Sequence, residues 1–192
     1  KGADVRQRHG ALGQTLVEQQ QGVRLFVLGR RGESAETTHR DLGRNVEQMV
    51  RALNRPILTV TEGFTQPRRV MVAFDGKSAT RKGVEMIAVS PLFRGLPVHL
   101  LMSGKPSRDG TKQLDWAKEK LEAAGIEAPS ALIRGDAERT IAEYVVQQDI
   151  DLMIMGAYAH SPLRSLLFGS KTSDLLRSAK IPTLMLRQPN RG

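Results

Sequence analysis

Near the end of the chain, a few small residues are spaced in a way that suits an anion. Gly156 closes a short apolar run (Leu152 to Met155), Ala159 follows after two residues, and Gly169-Ser170 after nine more. The run is bounded by turn residues and is too short for an ordinary helix. It therefore reads as a buried strand that carries Gly156 to the carboxyl end of a sheet. Beyond Gly169, Leu175, Leu176 and Ala179 recur at helical spacing, and Ser170 or Ser173 is placed to cap a helix starting there. A helix N-terminus offers unpaired N–H groups and partial positive charge, and glycine lets a bulky anion approach the main chain. The chemistry expected of this stretch is phosphate binding.

The elements that must position it follow from hydrophobic periodicity. Residues 70–74 read as a strand ending at Asp75-Gly76, 79–92 as a helix with Val84, Ile87 and Ala88 on one face, and 98–102 as a strand. A polar loop over 104–110, an amphipathic helix over 114–124 stopped by Gly125, and a strand over 130–133 come next. Asp136 is placed to cap a helix carrying Ile141, Ala142, Val145 and Val146. Five strands alternating with four helices predict an α/β fold, a Rossmann-like five-stranded parallel sheet over 68–188 with helices on both faces. The right-handed crossovers of such a sheet put Asp75 and Gly156 at one end of it.

Residues 1–60 read as strand (3–9), helix (12–20), buried strand (25–28), helix (45–53) and strand (57–60). The polar stretch 61–69, with Gly63 and Pro67, marks a boundary. An internal repeat joins the two parts. Arg24-Leu-Phe-Val-Leu-Gly29 matches Asp151-Leu-Met-Ile-Met-Gly156, Gly43 matches Gly169, and Arg55-Pro-Ile-Leu-Thr-Val60 matches Ile181-Pro-Thr-Leu-Met-Leu186, at separations constant to within one residue. That constancy predicts a tandem duplication. A first repeat as long as the second would begin before Lys1.

The loop spacing, taken with Val70-Met-Val-Ala-Phe-Asp75-Gly-Lys-Ser78, resembles the universal stress protein family. Its ATP-binding members carry G-x2-G-x9-G-[ST] and an acidic residue after the first strand. The resemblance covers a complete domain over 68–188 and the C-terminal half of another over 1–62. It implies the adenine nucleotide alpha hydrolase-like sheet, strand order 3-2-1-4-5, and association through the fifth strands, residues 57–60 and 183–186, within the chain or between two chains. On that strand order the first 60 residues do not fold alone, so we expect a piece of a longer tandem protein or completion by another chain.

The ligand so implied is an adenine nucleotide, ATP or AMP, with Mg accompanying only ATP. Asp75 falls at the adenosine end, Ala73 and Ser103 near the nucleoside, and Gly156, Ala159, Gly169, Ser170 and Thr172 at the phosphates. Ala159 stands where the motif has its second glycine, and Tyr158 where the family often has Arg or His; Lys171 offers a replacement cation. In the first repeat Gly29-Arg-Arg-Gly32 keeps both glycines, but Gly43 comes one residue late and Arg44 replaces the serine, so no nucleotide is expected there.

Composition narrows the field. The formal charge of +9 favours anionic partners, yet the pairs Arg30/Arg31, Arg68/Arg69 and Arg81/Lys82 are scattered and only 4% of residues are aromatic, so nucleic acid is not expected. No apolar run approaches the roughly 18 residues of a spanning helix, and Lys1-Gly-Ala-Asp4 opens no signal peptide; a cytoplasmic protein without a membrane partner is expected. The chain has no Cys, and its four His lack zinc spacing, so no metal site is expected. His160 has no accompanying carboxylate or nucleophile, so no catalytic residue is assigned. Three readings follow: a nucleotide-binding stress-response module that is not an enzyme, an interaction protein with a decayed site, and an ATP-consuming enzyme. The last lacks Gly-Lys-[Ser/Thr] and Gly-x-Ser-x-Gly signatures.

Overall fold

The structure, a computed structural model, describes residue 7 and residues 12–29, 49, 52–60, 63, 65–156 and 181–186. The strand expected over 3–9 therefore lies outside the described residues except for residue 7, as does most of the helix expected over 45–53. Of that helix, Met49 and Leu53 are both buried, and Leu53 N donates to Met49 O at 2.9 Å.

The first described elements are α1 (Leu12–Gln19), β1 (Phe26–Gly29) and β2 (Ile57–Val60). Beyond the end of α1 a 3-10 turn over Gln20–Gly22 leaves Gln20 O accepting from Val23 N at 3.3 Å, and Arg55 adds donors: its Nε reaches Gln20 O at 2.9 Å and its Nη2 reaches Gln21 O at 3.1 Å. The turn into β2 is thereby tied to the foot of α1. Next come β3 (Val70–Ala73), α2 (Ser78–Val89), β4 (Val98–Ser103), α3 (Arg108–Glu122), β5 (Ser130–Ile133), α4 (Ala137–Gln147), β6 (Leu152–Gly156) and β7 (Thr183–Leu186).

The seven strands form one sheet in the order β1-β2-β7-β6-β3-β4-β5. From β7 to β5 every pairing is parallel, which is the predicted five-stranded sheet with the predicted strand order. β1 and β2 are also a parallel pair. The two groups meet at the antiparallel pairing of β2 with β7, Ile57 opposite Met185 and Thr59 opposite Thr183. The strands expected to associate thus do so within the chain. Both threonines are buried at this seam, and Thr59 Oγ1 donates to Thr183 O at 3.2 Å.

Helices cover the parallel strands from both sides, so β3 is buried at all four positions, as a central parallel strand must be. Ile141, Ala142 and Val145 of α4 pack on the face of Met71, Ala73 and Met155, a layer that continues through Ile57 to Met49 and Leu53. Val84 and Ile87 of α2 and Leu114 and Leu121 of α3 pack on the face of Val70, Val72 and Ile154. Leu186 fills the space over Gly83 on α2: a Cβ there would meet Leu186 Cδ1 and oblige that side chain to shift. Between α2 and α3, the Arg81 guanidinium lies over the Trp116 ring, 3.7 Å from its centroid.

Four boundaries or burials differ from the sequence reading. α3 begins at Arg108 rather than 114, because Ser107 Oγ accepts from Gly110 N at 3.0 Å and starts the helix within the polar stretch. α2 ends at Val89, since Pro91 has no N–H to extend it and the Ser90 hydroxyl takes the Leu92 N–H instead. Val146 of α4 is exposed although its neighbour Val145 is buried. β1 is buried on one face only: Phe26 is covered, whereas Leu25 just before it and Val27 face outward.

Acid sensitivity is built into the amino half of β4. His99 is buried with its Nδ1 3.0 Å from the Tyr144 hydroxyl and the two rings edge to face. Burial pushes its pKa below the ordinary 6.5; Arg69 pushes the same way and Glu127 opposes. The unfolded chain therefore takes up this proton first, and the associated stability, complete above pH 6.5, is lost as pH falls toward the folded-state value. Urea unfolding across this range is expected to show a pH slope of up to ~1.4 kcal/mol per unit that His99→Gln reduces. Equal slopes in both proteins would assign the acid sensitivity elsewhere.

Candidate functional site

A parallel sheet opens a crevice where its strand order reverses, and here the order runs outward from β3 through β4 to β5 and then returns to β6 and β7, so that point lies between β3 and β6. Below the crevice, Asp151 takes two main-chain donors at once, Arg68 N at 2.8 Å on Oδ2 and Arg69 N at 2.9 Å on Oδ1. The start of β3 is thereby fixed against the start of β6. Ala73 is then opposite Met155, which sets Asp75 beside the end of β6 at Gly156, both at the carboxyl edge as expected.

Ala73 and Gly156 are buried in the crevice floor, and Ser103, the last residue of β4, is partly buried one strand away. The ladder pairs Ala73 with Leu101, so Ser103, two residues on, is level with Asp75. Four of the site residues expected from sequence therefore converge on one edge. Ala159, Gly169, Ser170 and Thr172, with Tyr158, His160 and Lys171, lie outside the described residues.

Asp75 divides its two oxygens. Oδ1 accepts from Lys77 N at 3.0 Å and from the Thr80 hydroxyl at 2.6 Å, closing the turn into α2. Among the described residues, Oδ2 has only the exposed Lys77 Nζ near it, at 3.8 Å, too long for a firm hydrogen bond. One oxygen thus holds the fold while the other makes no firm hydrogen bond among the described residues. Gly76 completes the turn with φ +72, and a Cβ there would fall on Gln113 Oε1. Gln113 is itself held by α3, its Nε2 donating to Asp109 Oδ2 at 2.6 Å.

Two groups beside Asp75 were not singled out from sequence. Thr80 gave no signal, because a threonine inside a helix ordinarily bonds its own helix rather than a preceding strand end. Ser78, in the first turn of α2, has a buried hydroxyl with no hydrogen-bond partner among the described residues. A buried polar atom left this way costs stability unless something pairs with it. Among the described residues no three His, Cys, Asp or Glu come together to hold a metal, and no helix is long and apolar enough to cross a membrane.

The model of the universal stress protein family matches residues 67–187. A universal stress protein of Synechocystis is 36% identical over 165 residues, covering 85% of this chain and 58% of that relative. The chain thus spans little more than half the relative's length. The fold is similar to that of a universal stress protein from Archaeoglobus fulgidus (TM-score 0.71, 18% identity, 94% of this chain and 66% of that one). It is also similar to a putative universal stress protein from Pseudomonas aeruginosa (TM-score 0.61, 16% identity, 93% and 69%).

The turn after β3 can be tested without any ligand. Asp75→Ala removes both Oδ1 bonds and is expected to cost about 1 kcal/mol in urea unfolding, with Asp75→Asn costing less because its carbonyl still accepts. Gly76→Ala should cost at least as much, roughly 1 kcal/mol for its positive φ plus displacement of Gln113. Wild-type stability in all three variants would mean that the turn is not held in this way.

Proposed function

The chain belongs to the universal stress protein family, and on that premise we propose that its β3–β6 crevice binds an adenine nucleotide, ATP or AMP, as a stress-response module rather than as an enzyme. The observation that supports the reading is the division of labour in Asp75, whose Oδ2 makes no firm hydrogen bond among the described residues while Oδ1 fixes the turn. That oxygen is an acceptor for a ribose hydroxyl, beside the floor made by Ala73 and Gly156 and level with Ser103. The phosphates then rest on main-chain N–H groups at Gly169 and Ser170, with Thr172 and Ala159 beside them and Mg accompanying ATP only. In this reading residues 68–188 form one complete domain and residues 1–62 the C-terminal half of a second, and the protein works in the cytoplasm.

A second reading has the nucleotide site decayed and the fold serving as an interaction module. Ala159 and Tyr158, where the family motif carries a glycine and often a cation, favour it.

Calorimetric titration of ATP and AMP into the full chain separates the two. In the nucleotide-binding case, Gly169→Val weakens binding at least tenfold because a branched side chain fills the phosphate volume, and Asp75→Asn weakens it less. Ala159→Gly then strengthens it several-fold, by relief of about 1 kcal/mol of steric or φ penalty. Absence of binding heat in the wild type and every variant would place the interaction-only reading ahead.

A further inference from the structure

The turn that joins β3 to α2 breaks rules that α3 and α4 keep. α3 is capped by Ser107 and carries Asp109 in its first turn, and α4 is capped by Asp136 and carries Glu138 there. Both arrangements set an acceptor and a negative charge against the positive end of the helix. α2 has Lys77 at the capping position, with no side-chain cap and no acidic residue in its first turn. A lysine there supplies no acceptor, and its charge opposes the helix dipole. Asp75, two residues earlier, gives its Oδ1 to Lys77 N and to the Thr80 hydroxyl instead. The Ser78 hydroxyl, next along, is buried without a hydrogen-bond partner among the described residues.

Lys77 gains little locally in return. Its Nζ lies 3.8 Å from Asp75 Oδ2, with the two side chains 63% and 36% exposed, so solvent screens the pair and the distance exceeds that of a firm hydrogen bond. What the position offers is reach. Lys77 follows Asp75 at the carboxyl edge of the sheet, and Gly156 ends the strand paired with β3, about 4.8 Å away. The ammonium sits on a flexible stem at the mouth of the crevice, and among the described residues it is the one cation paired with Asp75. An anionic ligand brought beside a carboxylate needs such a cation, because like charges repel strongly where water is excluded. Tyr158, in the loop after β6, brings none.

We propose that Lys77 is the counter-ion of the phosphate next to the ribose, held beside Asp75 until the ligand arrives. The inference rests on the nucleotide reading of the crevice and names the class of ligand selected there, nucleoside 5′-phosphates over free nucleosides. On binding, Asp75 Oδ2 exchanges Lys77 for a ribose hydroxyl, and Nζ moves to the phosphate, where its hydrogen bond is charge-assisted. The carboxylate then never faces an uncompensated anion. The first phosphate is common to AMP and ATP, so Lys77 strengthens both alike. Local helix rules are broken at this turn because the ligand, and not the fold, supplies the missing negative charge.

The experiment is calorimetric titration of adenosine, AMP and ATP into the full chain and into its Lys77→Met and Lys77→Arg variants. In the wild type AMP is expected to bind more tightly than adenosine. Lys77→Met should reduce that ratio about tenfold or more, and the ratio of ATP to adenosine by a similar factor, while Lys77→Arg keeps both near the wild-type values. Lys77→Met is expected to melt no lower than the wild type, since it loses an exposed pair and relieves the helix end of a cation. An unchanged ratio in Lys77→Met, or a wild type that holds adenosine as tightly as AMP, overturns the inference and leaves the nucleotide reading standing. Equal loss of adenosine and AMP does so too, by making Lys77 a support of the Asp75 turn. A wild type that binds neither AMP nor ATP removes the nucleotide reading itself, and the assignment of Lys77 goes with it.

Discussion

One carboxylate sets the level of the crevice walls. Asp151 receives the main-chain N–H groups of both Arg68 and Arg69, so β3 and β6 start together and, being parallel ladders, finish together. A charged acceptor taking two amide donors outweighs the exposed ion pair beside it, Arg69 with Asp149, which is largely screened by solvent. A slip of one residue would turn every side chain of β3 to the opposite face and separate Asp75 from Gly156. The crevice geometry is therefore decided at the edge of the sheet farthest from it.

The antiparallel seam imposes the second constraint. β1 and β2 run against β6 and β7, so Gly29 and Gly156, equivalent in the repeat, lie at opposite edges of the same sheet. Two binding crevices built on this plan would open in opposite directions. The seam also buries two hydroxyls, Thr59 and Thr183, and both find main-chain acceptors, at Thr183 O and Ile181 O. Each strand that would otherwise be an edge is thereby paired without leaving a polar group unsatisfied.

Much of this architecture was legible in the sequence because it rests on local signals. The apolar run before Gly156, the Asp136 cap and the strand over 130–133 all stand where periodicity and turn chemistry place them. The start of α3 was not legible, since Arg108 to Gln113 has no apolar face and its helical state depends on the Ser107 cap. The exposure of Val27 was also hidden, because an apolar strand carries no mark of which face will find a cover. At the site, Asp75 read equally well as a turn former and as a ligand contact, and the structure shows the turn, with Oδ1 taking both of its hydrogen bonds. The loop expected to meet phosphate is known from its sequence alone, Gly169 and Ser170 lying outside the described residues.

The contact between Arg81 and Trp116 gives the protein an internal optical reporter. Trp116 is the single tryptophan of the chain and it sits at the packing interface of α2 and α3, with a guanidinium against its ring. Indole emission depends on the charge and water around it. The chain's indole emission therefore comes from one location, on the helix packed against α2, whose first turn carries Asp75's partner Thr80. Any event that shifts α2 against α3 is written into that one spectrum, with no label attached.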